Sequence, residues 1–183
     1  MSWFSLMIRM PKMESLSQFE TKISPHLASA YNLARWLTRN DVDAEDVLQD
    51  SLIRAFRFFS AVQNEDVRPW FLQIVRNTSF SWIKKNGNFV ELTDVILEKN
   101  STETNTAETR LLQALSVEEI RSALDQLAPE FREILVLREF EDLSYAEISQ
   151  VVGLKQGTVM SRLSRAREKL TSCLVENRKG EKS

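Results

Sequence analysis

The residues best suited to chemistry lie near the C-terminus, and the chemistry they suit is contact with nucleic acid. From Lys155 to Lys169 the chain carries Lys155, Arg162, Arg165, Arg167 and Lys169, opposed only by Glu168. Val159, Leu163, Ala166 and Leu170 are spaced by four, three and four, which predicts one apolar stripe along a helix. Thr158, Ser161, Arg162, Arg165 and Lys169 are expected on the opposite side. Arginine on such a face can pair with guanine edges, while serine, threonine and lysine can reach bases or phosphates. The N-terminus of the helix, at Gly157 and Thr158, offers free backbone N–H groups to a phosphate. A solvated amphipathic helix has the same pattern. What favours the first reading is the segment just before it. Ser144 and Glu147 form a capping box ahead of Tyr145 to Val152, and Gly153 ends that short helix. Capped helix, glycine turn and basic helix together predict a helix-turn-helix.

A second set lies between Trp70 and Lys85. Trp70, Phe71, Phe80 and Trp82 are interleaved with Arg76, Asn77, Lys84 and Lys85. Bases can stack on aromatic rings while cations follow the backbone, so this mixture suits single-stranded DNA. Spacing alone favours the core for Phe71, Ile74, Val75 and Phe80, because aromatic stripes usually pack. A third set is acidic: Asp41, Asp43, Glu45, Asp46 and Asp50. It reads equally as a solvated face, a helix N-cap or a docking surface for a basic partner, and spacing does not decide among them.

Composition excludes more than it selects. Net charge is −2, so a nucleic-acid partner is suggested by the local distribution of charge and not by the total. The single Cys173 and single His26 can form neither a disulfide framework, a zinc site nor a Cys–His pair. One cysteine fits a reducing cytoplasm. No paired catalytic carboxylates, glycine-rich phosphate loop or metal-ligand spacing is present, so an enzyme is not expected, nor any cofactor or metal. The apolar part of the first residues is shorter than the ~18 residues needed to span a bilayer, so no membrane insertion is expected.

With only four glycines and four prolines, turns are too few for an all-β chain. The expected architecture is all-α: two small helical domains joined by a flexible linker, the second carrying the helix-turn-helix. Residues 1–13 read as a leader, 14–87 as the N-terminal domain, 88–110 as an acidic linker, 111–176 as the C-terminal domain and 177–183 as a tail. Within the first domain, a helical block over 15–40 is re-aimed at Pro25. A second block starts at Asp43 as N-cap. A loop follows and closes at Pro69, and a helix from Trp70 to Lys85 stops at Gly87. Within the second, Ser116 and Glu119 form a capping box, Pro129 opens the next helix, and the last one runs from Gln156 to about Leu174.

These motifs, in this order, resemble the extracytoplasmic-function group of bacterial sigma factors, the smallest members of the sigma-70 family. The run 43–57, DAEDVLQDSLIRAFR, is similar to the family's polymerase-docking helix, and 68–77, RPWFLQIVRN, to its promoter-melting helix. The runs 127–138, LAPEFREILVLR, then 143–148, LSYAEI, then 157–167, GTVMSRLSRAR, resemble its C-terminal domain. The resemblance covers roughly Phe19 to Leu174. It implies that the surface of Asp46, Gln49, Asp50, Ile53 and Arg54 docks on the β′ clamp helices of core RNA polymerase. It also implies that the loop from Ser60 to Arg68, with Gln63 and Asn64, holds a flipped non-template base of the −10 element, with Trp70 and Asn77 nearby and Arg76, Lys84 and Lys85 among the −10 contacts. Such flipping costs a few kcal/mol that pocket contacts must offset. The stretch from Lys155 through Gly157, Thr158, Ser161, Arg162, Ser164 and Arg165 to Lys169 would lie on the −35 major groove, and the C-terminal domain would dock on the β flap. The linker would thread toward the active-site channel, and an anti-sigma factor is the implied inhibitor. Departures from the family pattern fall at the short loop before Trp70, at Ser81, and at Met160 and Ser164.

The competing reading is a stand-alone helix-turn-helix regulator whose N-terminal helices sense a ligand or dimerise. A palindromic operator and a stable dimer would mark it; the Trp70–Lys85 helix is what it does not need. A helical adaptor without a DNA role is a third possibility. In the sigma reading the free chain is expected to bind DNA poorly, because two small sites on a flexible linker reinforce each other only when a third body fixes their spacing.

Overall fold

The computed structural model describes residues 13–62, 66–86 and 116–180; residues 1–12 of the expected leader, Gln63, Asn64, the Gly87 stop and the linker 88–110 lie outside the described residues. Helix α1 (Met13–Ile23) runs into a single 3-10 turn, Ser24–His26, where Pro25 re-aims the chain into α2 (Leu27–Thr38). Proline has no N–H to continue the ladder, so the turn falls where the sequence predicts it.

Helix α3 spans Asp41–Phe58, and its cap is Asn40, not Asp43. Asn40 is extended (φ −143°, ψ 137°), and its side-chain oxygen accepts from the N–H groups of Val42 at 2.8 Å and Asp43 at 3.2 Å. Asp41 and Asp43 therefore occupy the first turn, where negative charge meets the positive end of the helix dipole. Both Asn40 and Asp43 are good capping types, and only the backbone decides between them. Helix α4 (Arg68–Lys85) carries Pro69 in its first turn, as expected.

The second region begins at α5 (Val117–Gln126), headed by the Ser116–Glu119 capping box with both reciprocal hydrogen bonds in place. Helix α6 (Pro129–Leu135) continues into a π turn, Val136–Phe140, closed by the Glu141 N–H donating to Val136 O at 3.0 Å. The Ser144–Glu147 capping box opens α7 (Tyr145–Val152), and Gly153 ends it at φ 73°, the left-handed region that glycine occupies without a Cβ penalty. Each such cap contributes about 1 kcal/mol. Helix α8 extends over Gln156–Gly180, six residues past the expected end. Among the described residues there is no strand. The fold is all-α, in two helical regions, and α7–Gly153–α8 is the helix-turn-helix.

The core forms where the apolar faces of α2, α3 and α4 meet: Leu33, Ala34, Val47, Ala55, Phe71, Leu72 and Val75 are buried there. In the second region α8 lays Val159, Leu163 and Ala166 against α6 and α7. The two groups merge into one buried cluster, because α6 and its π turn pack on α2 while α7 packs on α4. Trp36 of α2 meets Phe140 with ring centroids 5.5 Å apart.

At the centre of this seam is Arg132, whose side chain is wholly buried. Its Nε donates to Leu124 O at 2.8 Å, and Nη2 donates to Asp125 O at 3.1 Å and Leu127 O at 2.6 Å. Its Nη1 donates to Trp36 O at 3.0 Å. The last carbonyls of a helix lack intrahelical partners and carry partial negative charge. One guanidinium thus caps the ends of α5 and α2 together. Burial lowers its pKa to about 10, so it stays charged at neutral pH.

Candidate nucleic-acid interface

The outward face of α8 is built by its own apolar stripe, which fixes the rotation of the helix against α6 and α7. Lys155, Gly157, Thr158 and Ser161 are exposed, and Ser164 and Arg165 are half-buried. Together they form a polar face with free helix-start N–H groups at one end, suited to a duplex groove. Met160, 53% exposed, sits within the same face and was not singled out by spacing. An apolar side chain there has a thymine methyl as its natural contact.

Two expected members of this face lie elsewhere. Arg162 is buried, 8% exposed, and its charge acts on Glu133. Lys169 is exposed, but its Nζ lies 5.2 Å from the Phe131 ring centroid. At about 100° per residue both side chains flank the core stripe and do not oppose it. The helical wheel therefore corrects the expectation that both face away from the core.

In α4, Phe71 and Val75 are fully buried, as their spacing predicts, and Ile74 and Phe80 are half-buried. Trp70 is half-buried, with its ring 6.5 Å from that of Phe59. Asn77, Lys84 and Lys85 are exposed. Arg76 is turned inward: its Nε donates to Glu133 Oε2 at 2.6 Å and its Nη2 to Glu133 Oε1 at 3.1 Å. Its Nη1 reaches Asn77 Oδ1 at 3.3 Å, and the guanidinium lies over the Phe80 ring at 4.6 Å. Glu133 is fully buried. Burial pushes its carboxyl pKa up, against the pull of Arg76 and Arg162.

Helix α3 brings all five expected docking residues onto one exposed face. Asp46, Gln49, Asp50 and Arg54 are exposed, and Ile53 is 52% exposed despite being apolar. Their i, i+3, i+4, i+7 and i+8 spacing places them side by side. Val42, 67% exposed, extends the same face by one turn; its apolar type amid acids was the available signal in the sequence. Asp41 of the acidic cluster is taken by Arg35, whose hydrogen bond holds its carboxyl below the usual range, and by the Tyr31 hydroxyl at 3.2 Å. Asp46 and Asp50 are left facing outward.

Among the described residues there is no cluster of His, Cys, Asp or Glu that could hold a metal ion, and no helix long and apolar enough to cross a membrane.

Comparison with known proteins matches two parts of the chain to family models. Residues 23–89 match Sigma-70 region 2, and 117–170 match Sigma-70, region 4. The ECF RNA polymerase sigma factor SigE of Mycolicibacterium smegmatis is 30% identical over 164 residues, covering 89% of this chain and 64% of that protein's length. RNA polymerase sigma factor SigV of Bacillus subtilis is 30% identical over 149 residues, covering 80% of this chain and 84% of the relative. Among solved structures, the sigma factor RpoE in complex with the anti-sigma factor NepR from Bartonella quintana superposes with a TM-score of 0.66. Its identity is 26%, covering 86% of this chain and 96% of that one.

Proposed function

The chain belongs to the extracytoplasmic-function group of the sigma-70 family, the promoter-directing subunits of RNA polymerase, and from that premise we propose how its surfaces divide the work. The N-terminal unit, 14–87, docks on the β′ clamp helices of core polymerase through Val42, Asp46, Gln49, Asp50, Ile53 and Arg54. With Gln63, Asn64, Trp70, Arg76, Asn77, Lys84 and Lys85 it opens and holds the −10 strand. The C-terminal unit, 111–176, reads the −35 duplex through Lys155, Gly157, Thr158, Met160, Ser161, Ser164 and Arg165, and docks on the β flap. The segment 88–110 spans between them. The chain catalyses nothing itself; it lends promoter choice to the polymerase, in the cytoplasm. The relative in the solved structure is bound to an anti-sigma factor, which supports an inhibitor of that kind here.

The observation that carries this reading is the pairing on one chain of two surfaces of different type. One is an exposed acidic–apolar face on α3, suited to a protein partner; the other is a polar, largely exposed face on α8, suited to a duplex groove. A stand-alone regulator needs only the second. If Arg165 reads a base edge, Arg165→Ala is expected to weaken −35 recognition by about 1–3 kcal/mol. Run-off transcription with core polymerase on promoters mutated across −35 checks this. The variant should lose discrimination at one base position, and an unchanged promoter profile would remove Arg165 from the reading set.

A further inference from the structure

The end of α8 assigned to the −35 groove carries one apolar side chain among polar ones. Met160 is 53% exposed, and among the described residues no other large apolar side chain in the first turns of α8 is exposed. Side chains of a helix lean toward its N-terminus, so Met160 lies over the turn of Gly157, three residues back. Gly157 brings no side chain to that turn, and a Cβ added there would meet nothing within 4 Å, so the thioether stands clear on its N-terminal side. That end of a recognition helix is the one that reaches base edges. The flank around Met160 has little positive charge to give a phosphate. Ser164 follows at i+4, and at i+7 the Arg167 guanidinium is held by Glu139 at 2.6 and 3.2 Å. The serine hydroxyl protons are directed into the helix itself: Ser161 Oγ donates to Thr158 O at 3.1 Å and Ser164 Oγ to Glu168 Oε1 at 3.4 Å. Their oxygens remain as acceptors, suited to the amino groups of adenine or cytosine. In that arrangement neither serine donates to a thymine O4, and the C5 methyl is the feature of a thymine left for this flank to recognise.

We propose that Met160 reads a C5 methyl group in the −35 duplex: it specifies thymine at one position, and it accepts a cytosine methylated at C5 in thymine's place. The proposal rests on the promoter reading above and narrows it from a surface to one feature of one base. Thymine and 5-methylcytosine carry the same methyl at the same edge of the major groove, and differ there in an O4 acceptor against an N4 donor. A thioether is only a weak acceptor, so it does not tell those two groups apart. Its unbranched, flexible chain can close over a methyl. Burial of one methyl-sized group corresponds to about a fourfold gain in binding. Promoter choice by this chain then responds to cytosine methylation at that position as well as to sequence.

The test uses the full chain with bacterial core polymerase, at limiting concentration, in run-off transcription. A −35 element is first selected from templates randomised over that region. Each of its thymines, on either strand, is then replaced singly by deoxyuridine, which pairs identically and lacks only the methyl. With the parent chain, one replacement is expected to lower transcript yield about fourfold. Met160→Ala should lose the same factor on the thymine template and lose nothing further on the deoxyuridine one, because two changes that remove one contact are not additive. Met160→Leu, apolar and of similar size, should keep the discrimination. At the same position 5-methylcytosine should exceed cytosine by about fourfold with the parent and by nothing with Met160→Ala. Met160 is exposed, so a thermal melt should find Met160→Ala as stable as the parent, which keeps folding out of the comparison. No thymine in the selected element, no effect of deoxyuridine at any position, or an effect that persists in Met160→Ala would overturn the methyl contact and leave the promoter reading standing. Equal yields from cytosine and 5-methylcytosine with the parent would overturn the response to methylation. Absence of promoter-specific transcripts with the parent chain would overturn the promoter reading and this inference with it.

Discussion

Arg132→Ala is expected to destabilise the full chain by about 4 kcal/mol, the largest loss for any single substitution considered. The side chain is wholly buried and its four hydrogen bonds end on carbonyl oxygens of Trp36, Leu124, Asp125 and Leu127. Alanine strips Trp36 O and Asp125 O of this donor, at about 1–3 kcal/mol for each group left unsatisfied, while Leu124 O keeps the Leu127 N–H at 3.1 Å and Leu127 O keeps Arg39 Nη2 at 3.5 Å. Partial relaxation and water entry keep the sum below full additivity. Small domains are stable by roughly 5–15 kcal/mol, so the variant should be near its unfolding threshold at 37 °C. Arg132→Lys is expected to recover only part of the loss, because an ammonium keeps the charge but lacks the planar fork that serves two helix ends at once. Urea unfolding at neutral pH checks both. A loss below about 1 kcal/mol for alanine would mean that the carbonyls find other partners and that Arg132 is not the cap of both helices.

Ile53→Glu is expected to weaken binding to core polymerase by about 30-fold, corresponding to about 2 kcal/mol, while leaving stability nearly untouched. Ile53 is 52% exposed at the centre of the outward face of α3, between Gln49 and Asp50 on one turn and Arg54 beside it. Burying an isoleucine against a partner yields about 1.5–3 kcal/mol, and that contribution is lost with the side chain. A carboxylate in its place adds a third negative charge next to Asp46 and Asp50. Apolar anchors ringed by polar groups are where binding energy concentrates. The check is a titration against core polymerase beside a thermal melt. An unchanged affinity would move the docking surface off this face of α3.

How much of this was legible beforehand depended on whether the determining contacts were local. The two capping boxes, Ser116–Glu119 and Ser144–Glu147, and the Gly153 stop are complete within three to five residues, and each is found where the sequence places it. The apolar stripe Val159, Leu163, Ala166 was equally plain, since it repeats within one helix. The choice of Asn40 over Asp43 was not, because both side chains can cap and only the turn after Thr38 settles which one is extended. Arg162 lies at the edge of the helix's own stripe, and periodicity measures only that position. It says nothing of a neighbour that covers the flank. The Arg76–Glu133 pair was out of reach for the same reason: it joins residues 57 apart in different regions. A signal did exist in the run 131–137, where Phe131, Ile134, Leu135, Val136 and Leu137 occupy most of the helix circumference. Arg132 and Glu133 in such a run have little solvent-facing surface left to share, and both turn out to be buried.

The central claim is that this chain gives core RNA polymerase its choice of promoter, and the most direct test is to combine the two. Purified chain and bacterial core polymerase are mixed, stoichiometry is read by size-exclusion chromatography, and run-off transcription is performed on a library of genomic fragments. The account predicts a one-to-one complex and transcripts starting from a small set of fragments that share two spaced elements, with none from core polymerase alone. No complex with core, together with duplex binding by the chain alone at a palindromic site, would contradict it and leave a stand-alone helix-turn-helix regulator.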